Sequence, residues 1–182
     1  MYNSEERLRL EQTIIGVCLL ERGFEQVKDI LLHSDFKHPN YLIYTAFIRL
    51  NESGDAITPR TVFRILEKVK KHVDPSYLTH CMMIVSQWYH PQRHCLQLLE
   101  YKLEDDMVKI CGKYTGENSI DAQLSSNCLQ KIAEYTDPLK TMDLIAAYLH
   151  KRSPESLLTK EVINLNKNFV DRCHKIRQNL KK

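Results

Sequence analysis

What this chain has little of narrows it first. Only five glycines, Gly16, Gly23, Gly54, Gly112 and Gly116, occur in 182 residues. None stands in the G-x-x-x-x-G-K-[ST] spacing, whose backbone N–H groups cradle phosphates while a lysine and a hydroxyl serve the terminal phosphate and magnesium. No apolar run approaches the roughly 20 residues of a membrane-spanning helix. The opening MYNSEERLRLEQ places acids where a secretory signal has a basic patch followed by an apolar run, so the expectation is a cytoplasmic protein without membrane contact. Closely paired cysteine is missing too. Cys18, Cys81, Cys95, Cys111, Cys128 and Cys173 are scattered without a C-x-x-C, mostly on apolar positions of helical patterns, which suits core thiols rather than a disulfide framework or a zinc cage.

Alternating β-branched runs and Asn-Gly or Asp-Gly hairpin turns are also absent, while nearly every segment carries the i, i+3, i+4 spacing of an amphipathic helix. The expected fold is all-α. Hydrophobic residues at 43% and charged residues at 27% belong to a globular chain with one full core and room for an appendage. Proline and capping residues punctuate it. Ser4 caps a first helix that leaves through Gly23, a short helix spans Phe24 to Leu32, and Pro39 opens a helix that Gly54 closes. Thr58-Pro59 and Asp74-Pro75 each place a capping side chain before a proline at the first helical position. These elements form a bundle over residues 1–88. Pro91 opens a longer helix that returns from about Ile120 to Tyr135, an antiparallel helical hairpin over 89–136. Residues 137–182 add a short helix after Asp137-Pro138 and a last one opened by Ser153-Pro154. The last helix carries the stripe Leu158, Val162, Leu165, Phe169, Cys173 and Ile176 over about 27 residues, or about 40 Å. A helix of that length is expected to lay the far half of its stripe against another chain.

Charge is unevenly spread. From Lys151 onward nine basic residues face three acids, leaving that segment at +6 and the first 150 residues at −3. Lys167, Arg172, Lys175 and Arg177 are the candidate contacts to nucleic-acid phosphates, against the commoner case of a solvated basic face. Neither aromatic-basic interleaving in sequence nor a groove-reading motif accompanies the charge.

A spaced series of residues carries a resemblance. Glu11 and Gln12 precede an apolar turn and Gly16. The run SDFKHPNYLIYTAFIRLNESGDAITPRTVFRIL follows, with Asp35-Phe36, Ile43-Tyr44, Leu50, Gly54, Ile57 and Val62 in order, then Tyr77-Leu78 and the stretch CLQLLEYKLEDDMVKI. From about Glu6 to Tyr135 this resembles the N-terminal domain of DnaB-type replicative DNA helicases. Three departures stand out. Thr58 replaces the usual acidic cap, HVDPS replaces a glycine-rich approach to the fifth helix, and residues 137–182 do not resemble the family. The resemblance implies a collar-type module, without the ATPase motor, that pairs through its hairpins into rings and presents a surface to primase or to helicase loaders.

Chemistry of its own is weakly signalled. His90 and His94 share a helical face as zinc ligands can, yet Pro91 puts His90 at the helix edge and no third ligand is evident. Glu104, Asp105 and Asp106 are adjacent on a helix and so point in different directions, unlike two carboxylates facing one cleft. No nucleophile motif is present, and no catalytic, cofactor or metal residues are expected. Trp88 and Tyr89 are candidates for an exposed aromatic anchor, the alternative being a seal between bundle and hairpin. The expected function is a non-catalytic protein–protein interaction module of DNA replication, self-associating and docking helicase, primase or loader. The alternatives are a DNA-binding accessory or regulator using the basic last helix, a helicase-binding domain of the primase type, and a piece of a larger helicase or primase.

Overall fold

A computed structural model describes residues 4–20, 23–85, 90–114, 120–134 and 138–179, except for the side chains at 91, 92, 120, 121, 133, 134, 138, 139, 177 and 179. All regular structure among the described residues is helical: α1 (Ser4–Cys18), α2 (Asn40–Ser53), α3 (Pro59–Lys68), α4 (Pro75–Met83), α5 (Pro91–Tyr114), α6 (Ile120–Glu134), α7 (Pro138–Arg152) and α8 (Leu157–Asn179), with 3-10 turns at Phe24–Gln26 and His33–Asp35. The chain divides into two compact units, Tyr2–Leu98 and Leu99–Lys182, with the boundary inside α5.

In the N-terminal unit α1 lies along α4, α2 along α3, and α1 crosses α2. Local chemistry sets the helix ends. The Thr58 hydroxyl accepts from Thr61 N at 3.2 Å and Asp74 Oδ1 from Ser76 N at 2.8 Å, each satisfying an N–H that the first turn of a helix leaves unpaired. Gly54 closes α2 at φ +72°, the left-handed region that L side chains rarely adopt. Ile43, Tyr44, Phe47 and Leu50 on α2 are fully buried, each contributing roughly 1.5–3 kcal/mol by leaving water. The segment after Gly23 departs from the expected helix. It forms a 3-10 turn at Phe24–Gln26 and further single turns, with Ile30 N and Leu31 N both bonded to Val27 O, and it ends where Leu32 is extended with its N–H taken by Asp35 Oδ2 at 2.6 Å. So short an isolated helix has little stability of its own to resist that capture.

In the C-terminal unit α6, α7 and α8 pack on one another. Fully or almost fully buried Met142, Ile145 and Leu149 of α7 match Leu158 and Val162 of α8 and Leu124 and Cys128 of α6. The last helix begins later than Ser153-Pro154 suggests. Ser156 Oγ accepts from Thr159 N at 3.0 Å, while the Thr159 hydroxyl donates to Ser153 O at 2.7 Å. Ser153 to Ser156 therefore form a turn, and α8 has 23 residues.

Candidate functional site

The residues that carry the resemblance converge on one buried polar cluster. Arg7 and Glu11 stand one turn apart on α1 and are 4% and 1% exposed. Glu11 Oε1 accepts from Arg7 Nε at 2.9 Å, and Oε2 accepts from Lys37 N and from Asn40 Nδ2, both at 3.0 Å. Asn40 Oδ1 in turn accepts from the Tyr77 hydroxyl at 2.8 Å. A second Arg7 nitrogen donates to Asp35 O at 3.1 Å, and the Asp35 carboxylate holds Leu32 N. Burial raises the Tyr77 hydroxyl above its ordinary pKa, opposed by its hydrogen bonds with Gln12 and Asn40, so it stays a neutral donor. One glutamate thus ties α1, the segment before α2, α2 and, through Asn40, α4.

That arrangement is architectural. Both Glu11 oxygens are engaged and its charge is matched by Arg7, as a buried carboxylate requires. Beside it Phe36 stacks on Tyr44 with centroids 4.5 Å apart, and Phe24 meets Tyr44 and Phe47 at 5.6 and 5.9 Å. Gly16 makes the α1–α4 crossing possible, since a Cβ there would sit 2.0 Å from Cys81 O. Gly23 does the same locally: its φ is an ordinary −64°, but a Cβ would lie 1.7 Å from Val17 O.

The other predicted positions fare differently. Trp88 and Tyr89 lie outside the described residues. Leu158 and Val162 are fully buried, Phe169 and Ile176 are 5% and 4% exposed, and Leu165 and Cys173 are half-buried. Phe169 and Ile176, expected to need another chain, are thus covered within this one, where α6 and α7 both pack on α8. Lys113 Nζ of α5 also reaches Glu161 at 2.8 Å, and Asn166 Nδ2 reaches Asp143 at 3.2 Å. Among the candidate phosphate contacts, Lys167 and Lys175 are exposed and Arg172 is half-buried, while the Arg177 side chain is outside those described.

His94 Nδ1 lies 2.8 Å from His90 O, a local bond at the start of α5. Among the described residues no three His, Cys, Asp or Glu side chains gather as metal ligands. Asp106 pairs with Lys102 on its own helix. All six cysteines are free, five of them buried. Burial pushes the Cys81 thiol up to about 12, and raises Cys18 with help from nearby Cys95. A hydrogen bond to Cys128, then burial, holds Cys111 well above the ordinary thiol range. The same hydrogen bond, opposed by burial, holds the Cys128 thiol below its ordinary value, whereas the raised Cys18, Cys81 and Cys111 are made less nucleophilic.

Arg7 and Asn40 carry the polar cluster and were not singled out by the sequence pattern. The one available signal was an Arg-x-x-x-Glu pair inside an apolar helix.

The described residues thus form helical units, the N-terminal one keyed by a buried ion pair in which both carboxylate oxygens are bonded. The chain belongs to the DnaB-like helicase N-terminal domain family, whose model matches residues 3–100, just over half of it. Neither curated proteins nor solved structures gave a match. The matched stretch covers nearly the same residues as the N-terminal unit. Among the described residues no helix is long and apolar enough to cross a membrane.

Proposed function

We propose that this chain is a non-catalytic protein–protein interaction module of DNA replication, which self-associates and docks a replicative helicase, a primase or a helicase loader. The observation that carries the reading is that the polar residues of the resemblance are turned inward. Glu11, Asp35 and Tyr77, together with Asn40, spend their polar groups on one another and on backbone, so recognition is left to the surface of the bundle. Met83 supports this. At the end of α4 it is 79% exposed, and an exposed flexible thioether suits adaptable protein contacts.

The test is recovery of partners from the native cell on the full chain, alongside sedimentation at increasing protein concentration. Helicase, primase or loader subunits should be recovered with wild type and lost with Met83→Asp combined with Trp88→Ala, while circular dichroism stays unchanged. Recovery unaffected by that variant moves the docking surface elsewhere. Sedimentation as a monomer throughout, with no replication protein recovered, removes the proposal. Phe169→Ser is the matching control, expected to unfold the C-terminal unit rather than dissociate an oligomer, because Phe169 is already buried within the chain.

A further inference from the structure

Where α6 meets α7, the fold joins basic and aromatic side chains that lie far apart in sequence. Lys131 Nζ of α6 stands 5.6 Å from the centroid of the Tyr148 ring on α7, and the Arg152 guanidinium carbon is 6.0 Å from the same centroid. Asn127 Nδ2, one turn before Lys131, donates to the Tyr148 hydroxyl at 3.0 Å and so fixes the ring's orientation. One turn before Tyr148 on the same helix face, Leu144 is 49% exposed. Lys151 and Arg152, one turn after Tyr148 on the same helix, are exposed. Lys131, Lys151 and Arg152 make no ion pair among the described residues, whereas Lys28, Lys102, Lys113 and Lys160 each have a carboxylate.

The carbonyl end of a helix accounts for cations near the ends of α6 and α7 taken singly. Cation–π attraction draws Lys131 and Arg152 to the Tyr148 ring, yet neither effect accounts for the uncovered leucine on the same helix face. We propose that this corner of α6 and α7 binds single-stranded nucleic acid. One base lies against the Tyr148 and Leu144 platform, with its neighbouring phosphates at Lys131, Lys151 and Arg152. A flat ring beside cations suits a planar base joined to phosphate, because every base offers a π face and the charge follows the backbone. An acidic peptide or an anionic lipid surface would use the cations but has no need of the platform. The site draws its residues from α6 and α7 and none from the N-terminal unit.

The experiment is fluorescence anisotropy of the full chain with labelled oligo(dT) of about 20 nucleotides, starting near 50 mM salt and rising. Three phosphate contacts predict that log affinity falls against log salt with a slope of about −2, at roughly 0.7 per contact on single strands. Tyr148→Ala should weaken binding about five-fold to a hundred-fold, the range that base-on-aromatic stacking commands. Tyr148→Phe, which keeps the ring, should stay within about two-fold on the same ground. Lys131→Ala with Arg152→Ala should weaken binding and flatten the salt slope by about 1.4. Circular dichroism checks each variant; if Tyr148→Ala loses its fold, the double lysine–arginine variant and Tyr148→Phe decide the matter. Absence of binding at low salt overturns the proposal. So does loss carried by Lys167→Ala and Lys175→Ala while the α6–α7 variants bind as wild type. Phosphatidylserine vesicles or polyglutamate competing as well as oligo(dT) would also overturn it, showing a general anion surface instead.

Discussion

The two units solve the burial of polar groups in opposite ways. The N-terminal unit takes an arginine and a glutamate almost fully out of water and surrounds the glutamate with bonds reaching three other segments. The C-terminal unit buries leucine, isoleucine, methionine and cysteine, and keeps the side chains of its ion pairs at least 20% exposed. Its one buried hydroxyl without a partner among the described residues is that of Ser125. Directional bonds specify one arrangement of segments and tolerate little change, because removing one partner strands the other. Aliphatic contacts are interchangeable so long as volume and pattern persist. A family signature can therefore be written in the first kind of core, whereas the second leaves mainly a periodicity.

Removing a keystone should have the largest effect. Glu11→Ala strips the buried Arg7 of its counter-charge and releases Lys37 N and Asn40. Breaking a buried pair from one side costs about 3–5 kcal/mol, so chemical denaturation should show the N-terminal unit melting well before the C-terminal one. Gly16→Ala comes next. Its new methyl meets Cys81 backbone, and overpacking of this kind costs about 1–3 kcal/mol, read as a lower midpoint with unchanged helicity once folded. Ser125→Ala should act in the other direction, because the hydroxyl it deletes is buried without a bond. A gain of about 1 kcal/mol or less is expected, and a loss would mean that the C-terminal unit also depends on a polar contact. Smallest is Lys113→Met, which removes an exposed pair with Glu161 and should leave the thermal midpoint where it was in high salt.

Helix boundaries were legible wherever a local cause sets them. Thr58-Pro59, Asp74-Pro75, Pro91, Pro138 and Gly54 mark helix ends in sequence and in the structure, since capping and φ restriction act over a few residues. The end of the segment from Phe24 to Leu32 was not legible, because it depends on Asp35 capturing Leu32 N across a turn. Nor was the start of α8, where Ser156, rather than the hydroxyl before the proline, caps the helix. The length of a stripe says how much surface needs cover, not which neighbour supplies it, and so Phe169 and Ile176 were left to a second chain. The α6–α7 corner was invisible for the same reason: Lys131 and Tyr148 are 17 positions apart and meet only through the packing of two helices.

The burial of the thiols gives the molecule its own stopwatch. Cys18, Cys81 and Cys95 belong to the N-terminal unit and Cys111, Cys128 and Cys173 to the C-terminal one, and only Cys173 is even half-open to solvent. An alkylating reagent added in excess can mark the other five only when a segment opens. Mass spectrometry of the resulting peptides over time would then give two opening rates in one tube, without labels or mutations. If the three N-terminal cysteines acquire their tags together and the buried C-terminal pair on a separate schedule, each unit is a cooperative body in its own right.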